Sequence, residues 1–274
     1  MCGRFTFHTP LLDWLCAFFP QAQAVWPTAV ATLSTKFPLL CQPRYNIAPT
    51  QLVWVIPQRS KHGITTKGSG TTSSSKESSG ALDFFGDLSG DPLEIDPLEI
   101  VPMRWGLLPA WADSPRIAYT MINARCETLL EKPTYRPLVD SHRCIVIADG
   151  YYEWKQASDS EKTPKQPFWI YHKTQEPLAF AGLWTLNKKL DSDGILSTTI
   201  VTTEANGDTQ AVHDRMPVLI SPDEQSAGRW LNPEINAKGI ADLLVPPPAG
   251  LLDTRPVSTR VNATRNQGPD LIEP

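Results

Sequence analysis

The sequence predicts a β-rich α+β domain with peripheral helices. Short runs of β-branched and aromatic residues recur between polar, Pro or Gly turns, only three segments carry helix-start signals, and 26 prolines in 274 residues favour irregular connections over long regular elements.

Along the chain, Thr9 as N-cap and Pro10 at the first helical position open a short helix whose Leu11, Leu15 and Phe18 share one face. QLVWVIP, ending at Pro57, reads as a strand, and VPMRWGLLPAW, from Val101, resumes the same aromatic and β-branched content, as if one hairpin had been interrupted. The interruption, at about 59–100, is Gly/Ser/Thr/Lys-rich and then carries a tandem DPLEI repeat, which reads as a loop duplication. Such composition buries too little apolar surface to offset the entropy of ordering, so it predicts a flexible insert within one domain spanning 2–274. From Cys144 to Ser221 the pattern is mostly strand: CIVIADGYYEW, PFWIYH, LAFAGLW, STTIVTT and MPVLIS. Ser221-Pro222-Asp223-Glu224 reads as a capping box for a second helix through Trp230, and Asn232-Pro233 as the start of a third.

Composition narrows the class. With 41% apolar and 20% charged residues, the chain is an ordinary globule and no collagen, coiled coil or disulfide miniprotein. No run of about 18 apolar residues and no secretory layout is present, which places the protein inside the cell, nuclear or cytoplasmic, with no membrane partner. The five cysteines form no C-x-x-C pair and read as free thiols, which argues against structural zinc; no cofactor is expected. The net charge of -4 is concentrated: Asp83, Asp87, Asp91, Glu94, Asp96 and Glu99 lie in the insert, and without these six the rest carries +2. A locally basic groove is therefore permitted.

The chemistry begins at residue 2. Initiator methionine is removed when the next residue is small, so Met1-Cys2 predicts a mature chain opening on Cys2, with a free α-amine beside its thiol. An unperturbed α-amine titrates at about 7.7 to 8.0 and a thiol at about 8.5, so both reactive forms are accessible near neutral pH. Such a 1,2-aminothiol traps an aldehyde as an imine and then closes a thiazolidine ring through sulfur. By position alone, an incidental buried thiol near a frayed terminus is the favoured reading of Cys2.

Other segments bear on that choice: Tyr45-Asn46-Ile47-Ala48-Pro49-Thr50, Arg104-Trp105-Gly106-Leu107-Leu108-Pro109-Ala110-Trp111, Asn123-Ala124-Arg125-Cys126-Glu127-Thr128, Asp149-Gly150-Tyr151-Tyr152-Glu153-Trp154 and His213-Asp214-Arg215-Met216-Pro217. Together with the M-C-G-R-F start, these motifs resemble the SRAP family, the SOS-response-associated peptidases or abasic-site-processing proteins. The resemblance extends over the chain outside the insert, down to Asn266-Gln267-Gly268. It implies a single α+β domain around an incomplete β-barrel, acting as a monomer on single-stranded DNA. It also implies crosslinking through the N-terminal cysteine to the ring-opened aldehyde of an abasic site, with lyase-type and autopeptidase activity; whether replication-associated proteins are further partners is not given by the sequence.

Carried over by motif, Cys2 is the nucleophile, Asn123 and Glu153 lie beside it, and His213 completes the site. A carboxyl such as Glu153 moves the protons of imine formation, and its aromatic setting predicts a raised pKa. The imidazole of His213 serves sugar-ring opening at cellular pH, and the Asn123 amide orients the terminal amine. Arg4 and Arg125 are expected to grip phosphate, and Pro49, Trp105 and Trp111 to stack on or wedge between bases. Ala112 stands where some relatives carry a second aromatic. Cys126 is read as packing, and His8, His62, His142 and His172 as structural or solvated. Two other readings stay open: a cysteine hydrolase acting on other peptides, and a noncovalent single-strand binder.

Overall fold

The computed structural model describes residues 2–58, 99–156 and 164–274. The insert, apart from its last two residues, and with it the DPLEI repeat and His62, lies outside the described residues. Twelve strands are described: β1 (Arg4–Phe7), β2 (Arg44–Ile47), β3 (Leu52–Pro57), β4 (Val101–Trp105), β5 (Asn123–Arg125), β6 (Arg143–Ala148), β7 (Gly150–Lys155), β8 (Gln166–His172), β9 (Leu178–Asn187), β10 (Ile195–Glu204), β11 (Arg215–Pro217) and β12 (Leu252–Pro256).

Five of them form a barrel. The order runs β10-β4-β3-β6-β9, and β9 pairs back onto β10, closing the ring. Barrel strands are covered on both faces, and so β6, RCIVIA, is buried throughout. The interrupted hairpin is confirmed: β3 and β4 are antiparallel, with Leu52 opposite Arg104 and Val55 opposite Val101. Closure is thinnest between β4 and β10, which run parallel with only two registered pairs, Ser197 with Arg104 and Thr198 with Trp105. The β-rich α+β class stands, and the barrel that the resemblance implied as incomplete is closed at this seam.

The other sheet, β12-β8-β7-β1-β2, is antiparallel throughout. The chain passes from barrel to sheet at Asp149, whose N–H donates to Thr6 O at 2.8 Å and whose Oδ2 accepts the N–H groups of His8 (2.5 Å) and Thr9 (2.8 Å). Gly150 follows because a Cβ there would lie 2.5 Å from Trp169 Nε1 and 2.7 Å from Ile170 O. Phe5 on β1 locks the sheet to the barrel, meeting Trp105 and Phe180 edge-on at 5.0 and 5.9 Å between ring centroids. Burying such a ring stabilises the fold by about 1.5–3 kcal/mol, and it anchors the strand that follows Cys2.

Four short helices decorate this frame. α1 (Leu11–Phe18) buries Leu11, Trp14, Leu15 and Phe18, the expected face, but Pro10 rather than Thr9 is its N-cap, with no side-chain cap, and the Thr9 N–H is held by Asp149. α2 (Trp26–Lys36) was not anticipated, and α3 (Arg136–Val139) is a single turn. The helix expected after Ser221 begins as a π-type turn, Glu224–Gly228, and continues as α4 (Arg229–Leu231). Its first turn is held by Asp223 Oδ1, which accepts the Ser226 N–H at 2.8 Å, rather than by Ser221. The third helix does not start at Asn232-Pro233: Asn232 Oδ1 closes a turn onto the Glu234 N–H, and a 3-10 run forms later, at Ala237–Leu243, capped by Asn236. Among the described residues no helix is long and apolar enough to cross a membrane.

Candidate active site

The site follows from strand register. Arg4 faces Tyr152, Phe5 faces Tyr151 and Thr6 faces Gly150 across β1 and β7. One further antiparallel step sets Glu153 level with Gly3, next to Cys2. Alternation puts Glu153 on the same face of β7 as Tyr151 and opposite to Tyr152 and Trp154. From the barrel side, Asn123 opens β5, which runs parallel to β10, and His213 lies two residues before Arg215, the first residue of β11, which pairs with β10 antiparallel. Three segments distant in sequence thus converge on the chain start.

Cys2 is buried, 1% exposed, and its carbonyl accepts a 2.7 Å hydrogen bond from Asn123 Nδ2. Its Sγ–H points to Arg4 O at 3.7 Å. Burial, and then the charge of Glu153, push this thiol well above its ordinary pKa. Glu153 is 2% exposed, and burial pushes its carboxyl up to about 7. His213 Nε2 lies 3.9 Å from Glu153 Oε2. Burial lowers the His213 pKa, which favours the neutral ring at physiological pH. A carboxyl poised near neutrality beside a neutral imidazole can both accept and return a proton. Asn123 Oδ1 is buried with no hydrogen-bond partner among the described residues, leaving an acceptor for an incoming donor.

The expected nucleic-acid contacts divide. Arg125 is exposed and lies on the same face of β5 as Asn123. Trp111 is 58% exposed, on a loop held by Asn187 Nδ2, which donates to Pro109 O (2.6 Å) and Ala112 O (3.0 Å). Pro49 is half-buried before Thr50, whose φ is 74°. Trp105 belongs to the core, which corrects its assignment as a base-stacking residue: it is fully buried, and its Nε1 donates to Ile122 O at 3.0 Å. The Arg4 guanidinium is half-buried and engaged by protein, donating to Asn46 Oδ1 (2.9 Å), Val261 O (2.8 Å) and Asn262 O (3.3 Å). His8 stacks on Tyr45, His142 tilts over Trp184, and His172 binds Thr174. Cys126 packs against the core, and all five thiols are free.

Sequence reading missed Tyr151. Its ring is fully buried, and its hydroxyl is buried without a well-formed hydrogen bond; the period-2 alternation within DGYYEW was the available signal, since it aligns Tyr151 with Glu153.

A sequence model described as "SOS response associated peptidase (SRAP)" matches residues 1–264. The abasic site processing protein YoqW of Bacillus subtilis is 40% identical over 172 residues, covering 62% of this chain and 75% of that protein. YoaM of the same organism is 31% identical over 279 residues, covering 100% of this chain and 98% of that protein. The abasic site processing protein YedK of Escherichia coli is 28% identical over the full length of both. Among solved structures, a phage-related protein from Bordetella bronchiseptica shares the fold, with a TM-score of 0.61, 24% identity, and coverage of 94% of this chain and 95% of that one.

Proposed function

The chain belongs to the SOS response associated peptidase (SRAP) family, and on that premise we propose that it processes abasic sites in single-stranded DNA by capturing the ring-opened sugar on Cys2. Its relatives are named as abasic site processing proteins. The observation that carries the reading is the convergence of Asn123, Glu153 and His213 on Cys2, with Glu153 titrating at about 7.

In this scheme removal of Met1 places the α-amine on Cys2. The neutral amine adds to the sugar aldehyde, forming a carbinolamine; protonation by the Glu153 carboxyl lets its hydroxyl leave as water, giving the protonated imine, which keeps its N–H. Glu153, now ionised, accepts the thiol proton as sulfur adds to the imine carbon, and the nitrogen ends as a secondary amine in a thiazolidine. One water is lost overall. His213 serves proton exchange at the ring oxygen during sugar opening. Trp111 and Arg125 supply stacking and phosphate contact to the flanking strand.

The raised thiol pKa favours this order of events over a peptidase acting on other chains. A cysteine hydrolase needs its thiolate first, at a lowered pKa, whereas Cys2 is held protonated. Here the amine strikes first and the thiol is needed only afterwards. Loss of Met1 is part of the proposal, as the step that creates the amine.

Incubation with an oligonucleotide carrying one abasic site should give a denaturation-stable adduct, its mass that of DNA plus Met1-less protein minus one water. Cys2→Ala should abolish the thiazolidine, and acetylating the terminal amine should do the same. An undiminished adduct of unchanged mass increment and stability in Cys2→Ala would sink the proposal.

A further inference from the structure

We propose that Glu127 and Arg215 form a positioning pair that sets the tautomer of His213, holding the proton of the neutral ring on Nε2, toward Glu153. Only the use made of His213 rests on the function proposed above; the geometry is independent of DNA.

Two groups compete for His213 Nδ1. The main-chain N–H of Arg215, at 3.0 Å, needs a lone pair there, while Asp214 Oδ1, at 2.8 Å, needs a proton. The first arrangement leaves N–H on Nε2, 3.9 Å from Glu153 Oε2; the second turns a bare lone pair toward that carboxyl. Asp214 is 82% exposed in its side chain and free to hydrate instead, so the hold on Arg215 decides between them.

That hold is strong. The Arg215 guanidinium, 8% exposed, makes a bidentate pair with Glu127, NH1 to Oε1 at 2.5 Å and NH2 to Oε2 at 2.9 Å, and NH2 also donates to Thr202 O at 2.8 Å. Glu127 lies in the 3-10 turn directly after β5, Arg215 opens β11, and β10 pairs with both strands. The pair therefore ties the segment bearing Asn123 to the segment bearing His213. Asp214 O, accepting the Ala205 N–H at 2.9 Å, fixes the intervening peptide. Besides Asp214 and Arg215, the charges acting on the ring are the chain's amino terminus, Glu153 on β7 and Lys165 ahead of β8.

The test is histidine-labelled full-length protein, in which imidazole 15N shifts report the tautomer directly. The parent should show His213 protonated on Nε2. Glu127→Gln and Arg215→Lys, which break the fork, should shift His213 toward the Nδ1–H form, and adduct formation on an abasic oligonucleotide should slow on the order of tenfold or more, with binding to an aldehyde-free analogue unchanged. Should a single variant fail to fold, the apolar pair Glu127→Leu with Arg215→Met keeps the segment buried without the fork and should show the same shift. The expected tautomer shift in the variants of a parent that itself captures no DNA would overturn the proposed function and leave this inference standing. A parent protonated on Nδ1, or folded variants with the parental tautomer and only a lower melting temperature, would reduce the pair to a structural brace and refute it.

Discussion

Glu153 Oε2 and His213 Nε2 stand 3.9 Å apart, the carboxylate fully enclosed and the imidazole a quarter exposed. That gap is wider than a hydrogen bond, so a small approach, or a substrate oxygen between the two, completes a proton path.

Capture should follow Glu153. With its pKa at about 7, the acid form that donates to the carbinolamine is depleted as pH rises through neutrality, so the part of the rate that depends on Glu153 should fall there. Glu153→Gln should remove that dependence and slow adduct formation by about 10²- to 10⁴-fold while binding to an aldehyde-free analogue is kept. Single-turnover rates measured across pH 5–9 would show it; an unchanged pH profile in the variant would exclude the carboxyl from the chemistry.

The same residue weakens the fold at alkaline pH. Its folded pKa lies above the unfolded value of about 4.3, so its contribution is fully favourable below about pH 4.3 and is lost as pH rises through about 7, an effect of at most ~4 kcal/mol. Glu153→Gln should therefore melt higher than the parent at pH 8 and close to it at pH 5. Equal melting temperatures at pH 8 would contradict the burial argument.

Trp105 and Trp111 should separate stability from binding. Trp105→Ala empties a fully buried site and should cost about 3–5 kcal/mol in denaturant unfolding. Trp111→Ala should leave unfolding unchanged and weaken single-strand binding by about 1–3 kcal/mol. A stable Trp105 variant, or unaltered DNA affinity without Trp111, would reverse the assignment.

Gly106 shapes the loop that carries Trp111. Its φ is +111°, and a Cβ would lie 2.6 Å from Ala118 O. Gly106→Ala should cost at least about 1 kcal/mol and reorient that loop, seen as altered Trp111 fluorescence quenching. Parental stability and quenching would show that the turn tolerates a side chain.

The barrel strands and the interrupted hairpin were legible because β-branched runs bounded by turn residues report two-faced burial directly, as in CIVIADGYYEW and QLVWVIP. Helix starts were less so. Thr9 has a capping side chain, yet its own N–H is taken by Asp149, a partner 140 positions away that no local pattern reveals. Cys2, Asn123, Glu153 and His213 were found through motif resemblance, but their convergence depends on which strands pair. For Trp105 and Trp111, six positions apart in one motif, composition is silent: an aromatic suited to stacking on a base is equally suited to a core, and only the fold decides. Arg4 illustrates the same ambiguity for charge, since its guanidinium is met by main-chain carbonyls.

That placement of Arg4 has a consequence for the timing of biosynthesis. The carbonyls of Val261 and Asn262 leave the ribosome some 250 residues after the guanidinium they receive. Throughout translation the segment next to the reactive thiol lacks its final clamp, and a nascent protein cannot finish assembling its first strand until these late residues emerge.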